Sequence, residues 1–398
     1  MRHHYLWIDN QPLSLFANEK DPCYFEERAL LSANTGDMVI LDYKIEMEYV
    51  TELNTLLNRR VQVLCIDCKS YDLVESIIRW KYFELLKKYL ISNNFIIRSY
   101  IPDERIYLLG KLIGCHVLGY EMYIENKTQT SLNGLRSKLG LNQINTLTIA
   151  NSNSEEILVF FQENKELLCK PDLSIGGERI RSIKNPDEIL KGDENTLNGF
   201  ILQEKLSIEL EGSIQFIYMP RTFRIHVCQT FNPFNHYAGF SYPFTTVFSR
   251  QLEEDGNKIL HYMVSKYGNN VDSFGVDFIV SDNKIYYHDL NPRKTAVTYV
   301  MTFIENLCKE LRTPIKPNII CKYIHVIGNL NRAYVNKILL KHNIKLTISQ
   351  GYEGLMIINP STIPNGLLQV ISLSISNKEK HYIKKAEQIL DEEGLIEK

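Results

Sequence analysis

No apolar run in this chain approaches the ~18 residues that a membrane-crossing helix needs, so no membrane association is expected. An excess of one charge is also missing. A net charge of −2 and a pI near 6.6 carry none of the basic footprint of a nucleic-acid binder. The opening Met1-Arg-His-His-Tyr-Leu-Trp does not read as a signal peptide. The eight cysteines are scattered, mostly in apolar stretches such as Val63-Leu-Cys65-Ile-Asp-Cys68, and do not form a disulfide framework. The expectation is a reduced, cytoplasmic protein with buried strand cysteines. Cys65-x-x-Cys68 has no second pair or nearby histidine to complete a metal site, and His3-His4 is too short to be one. There is no internal repeat and no low-complexity segment. Neither G-x-x-x-x-G-K-[ST] nor a post-strand G-x-G-x-x-G occurs, so neither a P-loop nor a dinucleotide fold is supported.

What is present is a chain of 398 residues, 44% of them hydrophobic, enough for a large core divided among two or three lobes. Apolar runs at Tyr5–Ile8, Met38–Leu41, Val61–Ile66 and Phe95–Ile97 alternate with helical spacing over Glu46–Leu57 and Tyr71–Leu90. That alternation predicts a parallel α/β domain over residues 1–110. Residues 111–312 begin with helical and short strand signals. An N-capped helix follows at Ser154, then antiparallel strand signals to about Phe248, and an amphipathic helix from Arg250 to Lys266. After a helix from Tyr299 to Leu311 and the linker Thr313-Pro-Ile-Lys-Pro317, residues 313–398 read as a small α+β unit.

Three segments carry chemistry. In Phe274-Gly-Val-Asp277 … Asp289-Leu-Asn291-Pro-Arg293, strand alternation points Asp289 and Asn291 the same way. A three-residue loop at Asp282-Asn283-Lys284 would set Asp277 across the ladder from Asp289. Three hard oxygen donors would then converge, as Mg2+ between protein and nucleotide phosphates requires, with Arg293 on the same face to hold a phosphate or carboxylate. His288 would alternate away. Upstream, Lys170-Pro-Asp-Leu-Ser174-Ile-Gly176-Gly177 places an ammonium and free backbone N–H groups where a triphosphate could lie. Between them, Gln203-Glu204-Lys205-Leu206 could offer backbone groups to adenine, and Glu211 could accept from ribose hydroxyls.

The order of these motifs, from about Asn126 to Val300, resembles the ATP-grasp superfamily. Its members hold ATP between two α+β lobes and activate a carboxylate as an acyl phosphate. The resemblance implies phosphate contacts by Lys127, ahead of a helix, and by Lys170, under a flexible loop at Ser174, Gly176 and Gly177. It implies an adenine hinge at Gln203 to Leu206, ribose binding by Glu211, and metal binding by Asp277, Asp289 and Asn291. Two departures stand out. Aspartate at 289 replaces the usual glutamate, and Gly275 stands where an arginine is often found, so Arg293 or Arg224 would supply the catalytic positive charge. The flanks, including Gly351-Tyr-Glu-Gly354, are similar to a peptide-ligase group from antibiotic biosynthesis. That group includes the peptide ligase of pheganomycin assembly and the glutamate–carrier-protein ligase of butirosin assembly. The implied function is an ATP- and Mg2+-dependent, ADP-forming ligase joining an amino-acid or peptide carboxylate to an amine. Alternatives are transfer to the phosphopantetheine thiol of an acyl carrier protein docked at Arg179, Arg181 and Lys184, a kinase, or a non-catalytic nucleotide-binding protein. No oligomeric state is implied.

Overall fold

The computed structural model describes residues 3–9, 25–42, 45–66, 72–149, 152, 154–164, 166–173, 180–190, 199–219, 222–232, 237–311, 317–347 and 352–397. Its first sheet is wholly parallel: β1 His4–Ile8, β2 Met38–Asp42, β3 Gln62–Ile66, β4 Phe95–Ser99 and β5 His116–Val117, in the order β3-β2-β1-β4-β5. Alternation splits β1 between two cores. Leu6 and Ile8 pack under the helices Leu73–Arg79 and Glu104–Ile113, whereas Tyr5 and Trp7 face the rest of the molecule. The helical signal over Tyr71–Leu90 is two helices, Leu73–Arg79 and Phe83–Ser92, separated at Trp80-Lys81-Tyr82, where the backbone at Trp80 is extended. Cys65 lies exposed on the edge strand β3, not buried as expected, and Cys68 falls outside the described residues.

A small antiparallel sheet follows: β6 Thr146–Thr148, β7 Leu167–Pro171, β8 Arg181–Ile183 and β9 Phe200–Glu204, ordered β6-β9-β7-β8. The third sheet has eight strands: β10 Leu210–Met219, β11 Thr222–Phe231, β12 Gly239–Tyr242, β13 Phe274–Ser281, β14 Lys284–Asn291, β15 Asn318–His325, β16 Gly354–Ile358 and β17 Leu367–Ser374. Its order is β14-β13-β10-β11-β12-β15-β17-β16. One face of β10 and β13 buries Ile214, Phe216, Val276 and Phe278 under helix Ser249–Tyr267. Helix Ala296–Leu311 covers Ile217 and Cys228 on the other face and joins them to Trp7 and Leu41 of the first sheet.

Two expected boundaries shift. Residue 110 lies inside helix Glu104–Ile113, and β5 beyond it still belongs to the first sheet. The division at 312 falls within the third sheet, because β12 pairs with β15 from Gly239↔Lys322 to Tyr242↔Ile319. β15 itself starts at Asn318, which pairs with Ser374 of β17.

The lobes are tied together by a buried group of charges. Asp272, just ahead of β13, accepts from Arg98 Nε on β4 (3.2 Å) and from Lys294 Nζ after β14 (2.6 Å), and Lys294 also donates to Ser99 O (2.7 Å). Both cations lie over the Trp7 ring, at 4.5 and 5.2 Å from its centroid. Burial alone would raise the Asp272 carboxyl, but Arg98 and Lys294 overturn that and hold its pKa at about 2. A carboxylate depressed from the usual range to about 2 contributes roughly 2–3 kcal/mol of stability above pH ~4, lost as the pH falls through 2. Asp272→Asn should therefore cost about 3–5 kcal/mol in urea denaturation at pH 7, since it strands two buried cations. The difference between parent and variant should shrink below pH 4; a constant difference down to pH 2 would refute the role assigned to the carboxylate.

Candidate functional site

The β13–β14 hairpin turns at Asp282-Asn283, whose φ values of 47° and 56° make a two-residue turn, not the expected three-residue loop. That turn alone would oppose Asp277 to His288. The register then slips by one between Asp277 and Phe278, so that Phe278 pairs with Tyr287 and Asp277 with Asp289, leaving His288 as the extra residue of a β-bulge. The expected pair of carboxylates does face across the ladder, by a different route. The bulge also breaks the alternation that was to turn His288 away. Its imidazole is driven down to about 3 by burial and by the charges of Lys170 and Arg136.

Asn291 Nδ2 donates to Asp277 Oδ2 (3.0 Å) and Asp289 Oδ2 (3.3 Å). Burial and then the charge of Asp289 raise the Asp277 carboxyl to about 7. Asp289 is raised too, mainly by burial, although Lys170 and Arg293 oppose it. Two partly buried carboxylates this close repel each other, and a divalent cation between them would offset that repulsion. A half-turn of the Asn291 amide would add its oxygen to theirs, a hard donor set suited to Mg2+. Among the described residues no group of three or more His, Cys, Asp or Glu side chains is placed to hold a metal, so the set is two carboxylates and one amide.

Lys170 on β7 brings the small sheet to this point. It is 5% exposed and donates to His288 O (3.3 Å), and burial lowers its ammonium to about 8 while Asp289 works against the shift. Arg293 donates to Tyr100 Oη (3.0 Å) and to Lys294 O (2.9 Å), and its charge lowers both Asp277 and Asp289. Arg224 lies exposed on β11, opposite Ile217. Glu211 shares a face of β10 with Ser213, the ladder partner of Asp277.

The other expected residues are more dispersed. Lys127 pairs with Glu104 of the first domain (3.4 Å) and lies over Tyr123. Gln203 is buried and donates to Thr146 Oγ1 (3.0 Å), and the Glu204 and Lys205 N–H groups go to Asn145 O and Glu166 O (both 2.9 Å). Lys205 Nζ pairs with Glu166 (2.8 Å), and half-buried Leu206 begins the connection to β10. Ser174, Gly176 and Gly177 lie outside the described residues.

Several neighbours went unpredicted. Gln129 donates to Asp289 Oδ1 (2.7 Å) from the first turn of helix Gln129–Leu139, whose N-cap Thr128 accepts from Ser131 N (3.1 Å). Ser213 hydrogen-bonds Asp277 and accepts from Gln215 Nε2 (2.7 Å), while Gln215 Oε1 accepts from Thr295 Oγ1 (2.8 Å). A Cβ at 275 would meet Gln215 Nε2 at 2.5 Å, so the amide fills the space that an arginine there would need. The alternation Glu211-x-Ser213-x-Gln215 was the available signal. Finally, β14 is an edge strand, and its outer carbonyls are taken by side chains: Ile285 O by Asn142 (2.8 Å), Tyr287 O by Arg136 (3.1 Å) and His288 O by Lys170.

Residues 131–297 match the family model of an ATP-grasp domain. A comparison with curated protein sequences finds no match. Among solved structures, the carboxyaminoimidazole ribonucleotide synthase of Aspergillus clavatus, complexed with ATP, is similar at 11% identity and a TM-score of 0.61, over 98% of this chain and 99% of that one. The N5-carboxyaminoimidazole ribonucleotide synthetase of Thermus thermophilus is similar at 10% and 0.60, over 94% and 96%. The biotin carboxylase domain of Hydrogenobacter thermophilus 2-oxoglutarate carboxylase, holding MgADP, ADP and bicarbonate, is similar at 12% and 0.60, over 94% and 87%. At these identities the likeness is one of architecture. The chain has an ATP-grasp fold.

Neutralising one of two mutually repelling carboxylates relieves strain that a bound cation would otherwise offset. Asp277→Asn should raise stability by about 1 kcal/mol in chelator-treated protein. Adding Mg2+ with ADP should stabilise the parent and leave the variant unmoved, as thermal melts will show. A variant stabilised as much as the parent would remove Asp277 from the metal site.

Proposed function

We propose that this protein is an ATP-dependent, ADP-forming ligase that activates an amino-acid or peptide carboxylate as an acyl phosphate and couples it to an amine, as in peptide or antibiotic biosynthesis. The observation that carries the reading is the convergence of Asp277, Asp289 and Asn291 beside Lys170. The nucleotides in the Aspergillus and Hydrogenobacter structures support it, and we carry ATP and Mg2+ over to this chain. Mg2+, when bound, would supply positive charge that offsets the negative charge developing on the transferred phosphoryl group. Asp277, Asp289 and Asn291 would hold it, Lys170 and Lys127 would meet phosphate oxygens, and Glu211 would take the ribose. The substrate carboxylate oxygen attacks the γ-phosphorus as the bond to ADP breaks. The amine then adds to the acyl carbon, phosphate leaves, and Arg293 stabilises the oxyanion formed in between, a role typically worth roughly 3–4 kcal/mol.

The carrier-protein thiol is a second acceptor for the same intermediate, favoured by the exposure of Arg181 and Lys184, which could meet an acidic docking helix. Among the described residues no helix is long and apolar enough to cross a membrane.

With ATP, Mg2+ and pooled amino acids, turnover should release ADP and phosphate; AMP and pyrophosphate would refute the acyl-phosphate route. Mass spectrometry of the products separates an amide from a thioester and from a stable phosphorylated compound. Asp289→Asn should cost more than about tenfold in rate, or ~1.4 kcal/mol, with the fold intact by circular dichroism. A smaller loss would exclude Asp289 as a principal ligand.

A further inference from the structure

Among the described residues, helix Gln129–Leu139 and the turn after it reach β14 through three hydrogen-bonding side chains. Arg136 and Asn142 go to backbone, at Tyr287 O (3.1 Å) and Ile285 O (2.8 Å). Gln129 goes to a side chain, giving its Nε2 hydrogen to Asp289 Oδ1 at 2.7 Å. Two contacts already hold this helix to the strand. The third serves the carboxylate that converges with Asp277 and Asn291.

Gln129 is held where it can do so. It is the first residue of its helix and 8% exposed. Asp172 fixes the backbone on either side of the side chain's root: Gln129 N donates to Asp172 O (2.9 Å) and Thr130 N to Asp172 Oδ1 (2.9 Å). The orientation of the amide follows from chemistry, because an ionised carboxylate accepts and has no proton to give, so only the NH2 end can face it. That leaves Gln129 Oε1 buried and, among the described residues, without a donor. A buried acceptor of this kind asks for a partner.

The second oxygen of Asp289 is turned elsewhere. Oδ2 meets Asn291 Nδ2 (3.3 Å), which also meets Asp277 Oδ2 (3.0 Å). One oxygen from each carboxylate is thus directed to the same amide, while Gln129 covers Asp289 Oδ1. We propose that Gln129 is a positioning residue of the metal site, which commits Asp289 to a cation through Oδ2 alone and offers Oε1 to a water that the cation carries. Mg2+ usually keeps several of its waters, and side chains bonded to its ligands orient those ligands. An ion bridged through Oδ1 would have to displace the Gln129 N–H, so the site takes one ion. The inference rests on the metal reading of Asp277, Asp289 and Asn291, and adds the residue that aims Asp289 and the number of ions.

Mn2+ binding tests it without turnover. The full chain, with one equivalent of the β,γ-imido analogue of ATP, is titrated with Mn2+ and followed by electron paramagnetic resonance. The parent should take up one Mn2+ per chain. Gln129→Met keeps the reach of the side chain and removes both its donor and its acceptor. It should bind Mn2+ roughly 10- to 100-fold more weakly. Its affinity for the metal-free analogue should stay within about twofold of the parent's, and its melting temperature in chelator should not fall. Two Mn2+ per chain in the parent, or unchanged Mn2+ affinity in Gln129→Met, would overturn the proposal. A variant that melts below the parent would mark Gln129 as structural and overturn it too. A parent that binds no Mn2+ removes the metal site, and the ligase reading falls with it. A parent that binds Mn2+ no better than Gln129→Met removes the role of Gln129 alone.

Discussion

Asp272, held between Arg98 and Lys294, is the contact on which the arrangement of the site depends. It joins the end of the central parallel strand pair to the start of β13 and to the residue that follows Arg293. Through it, the orientation of Arg293 is referred to the first domain. Buried ionic groups of this kind are costly to desolvate, and they commit the chain to one docking geometry where an apolar contact would allow several.

The carboxylates were legible because their spacing is local. Asp277, Asp289 and Asn291 lie within one hairpin, and hairpin pairing leaves few registers to choose from. The reading reached the right partners through two deviations that cancel: a turn one residue shorter than expected and a bulge that restores the residue lost. Asp-Asn is a sequence for a tight turn with positive φ, so the turn could have been read. The bulge could not, because nothing about His288 marks it as unpaired until its neighbours across the ladder are known.

What stayed hidden depends on distant parts of the chain. Gln129 reaches Asp289 across 160 residues, and Arg98 reaches Asp272 across 174. Neutral or paired side chains of these kinds carry no spacing signal of their own. The same holds for the sheet boundary near residue 312. A proline-containing linker looks like a division between domains, yet β15 returns to pair with β12, because the apolar residues on both sides of it need one continuous surface to cover. Gly275 shows the reverse case. A departure from a familiar pattern became intelligible only when the Gln215 amide was seen to occupy the space above it.

The capped edge of β14 bears on how the chain behaves in a crowded solution. An open strand edge is a template for another strand, and the strand that carries Asp289 and Asn291 is the outermost of its sheet. Here a buried guanidinium, an amide and an ammonium occupy three of its carbonyls, which hinders the addition of a foreign backbone. Of the three, the ammonium belongs to Lys170 and sits on a separate sheet. Guarding this border against polymerisation therefore falls partly to the lobe that would also grip the nucleotide, and keeping copies apart is bound up with keeping the two lobes together.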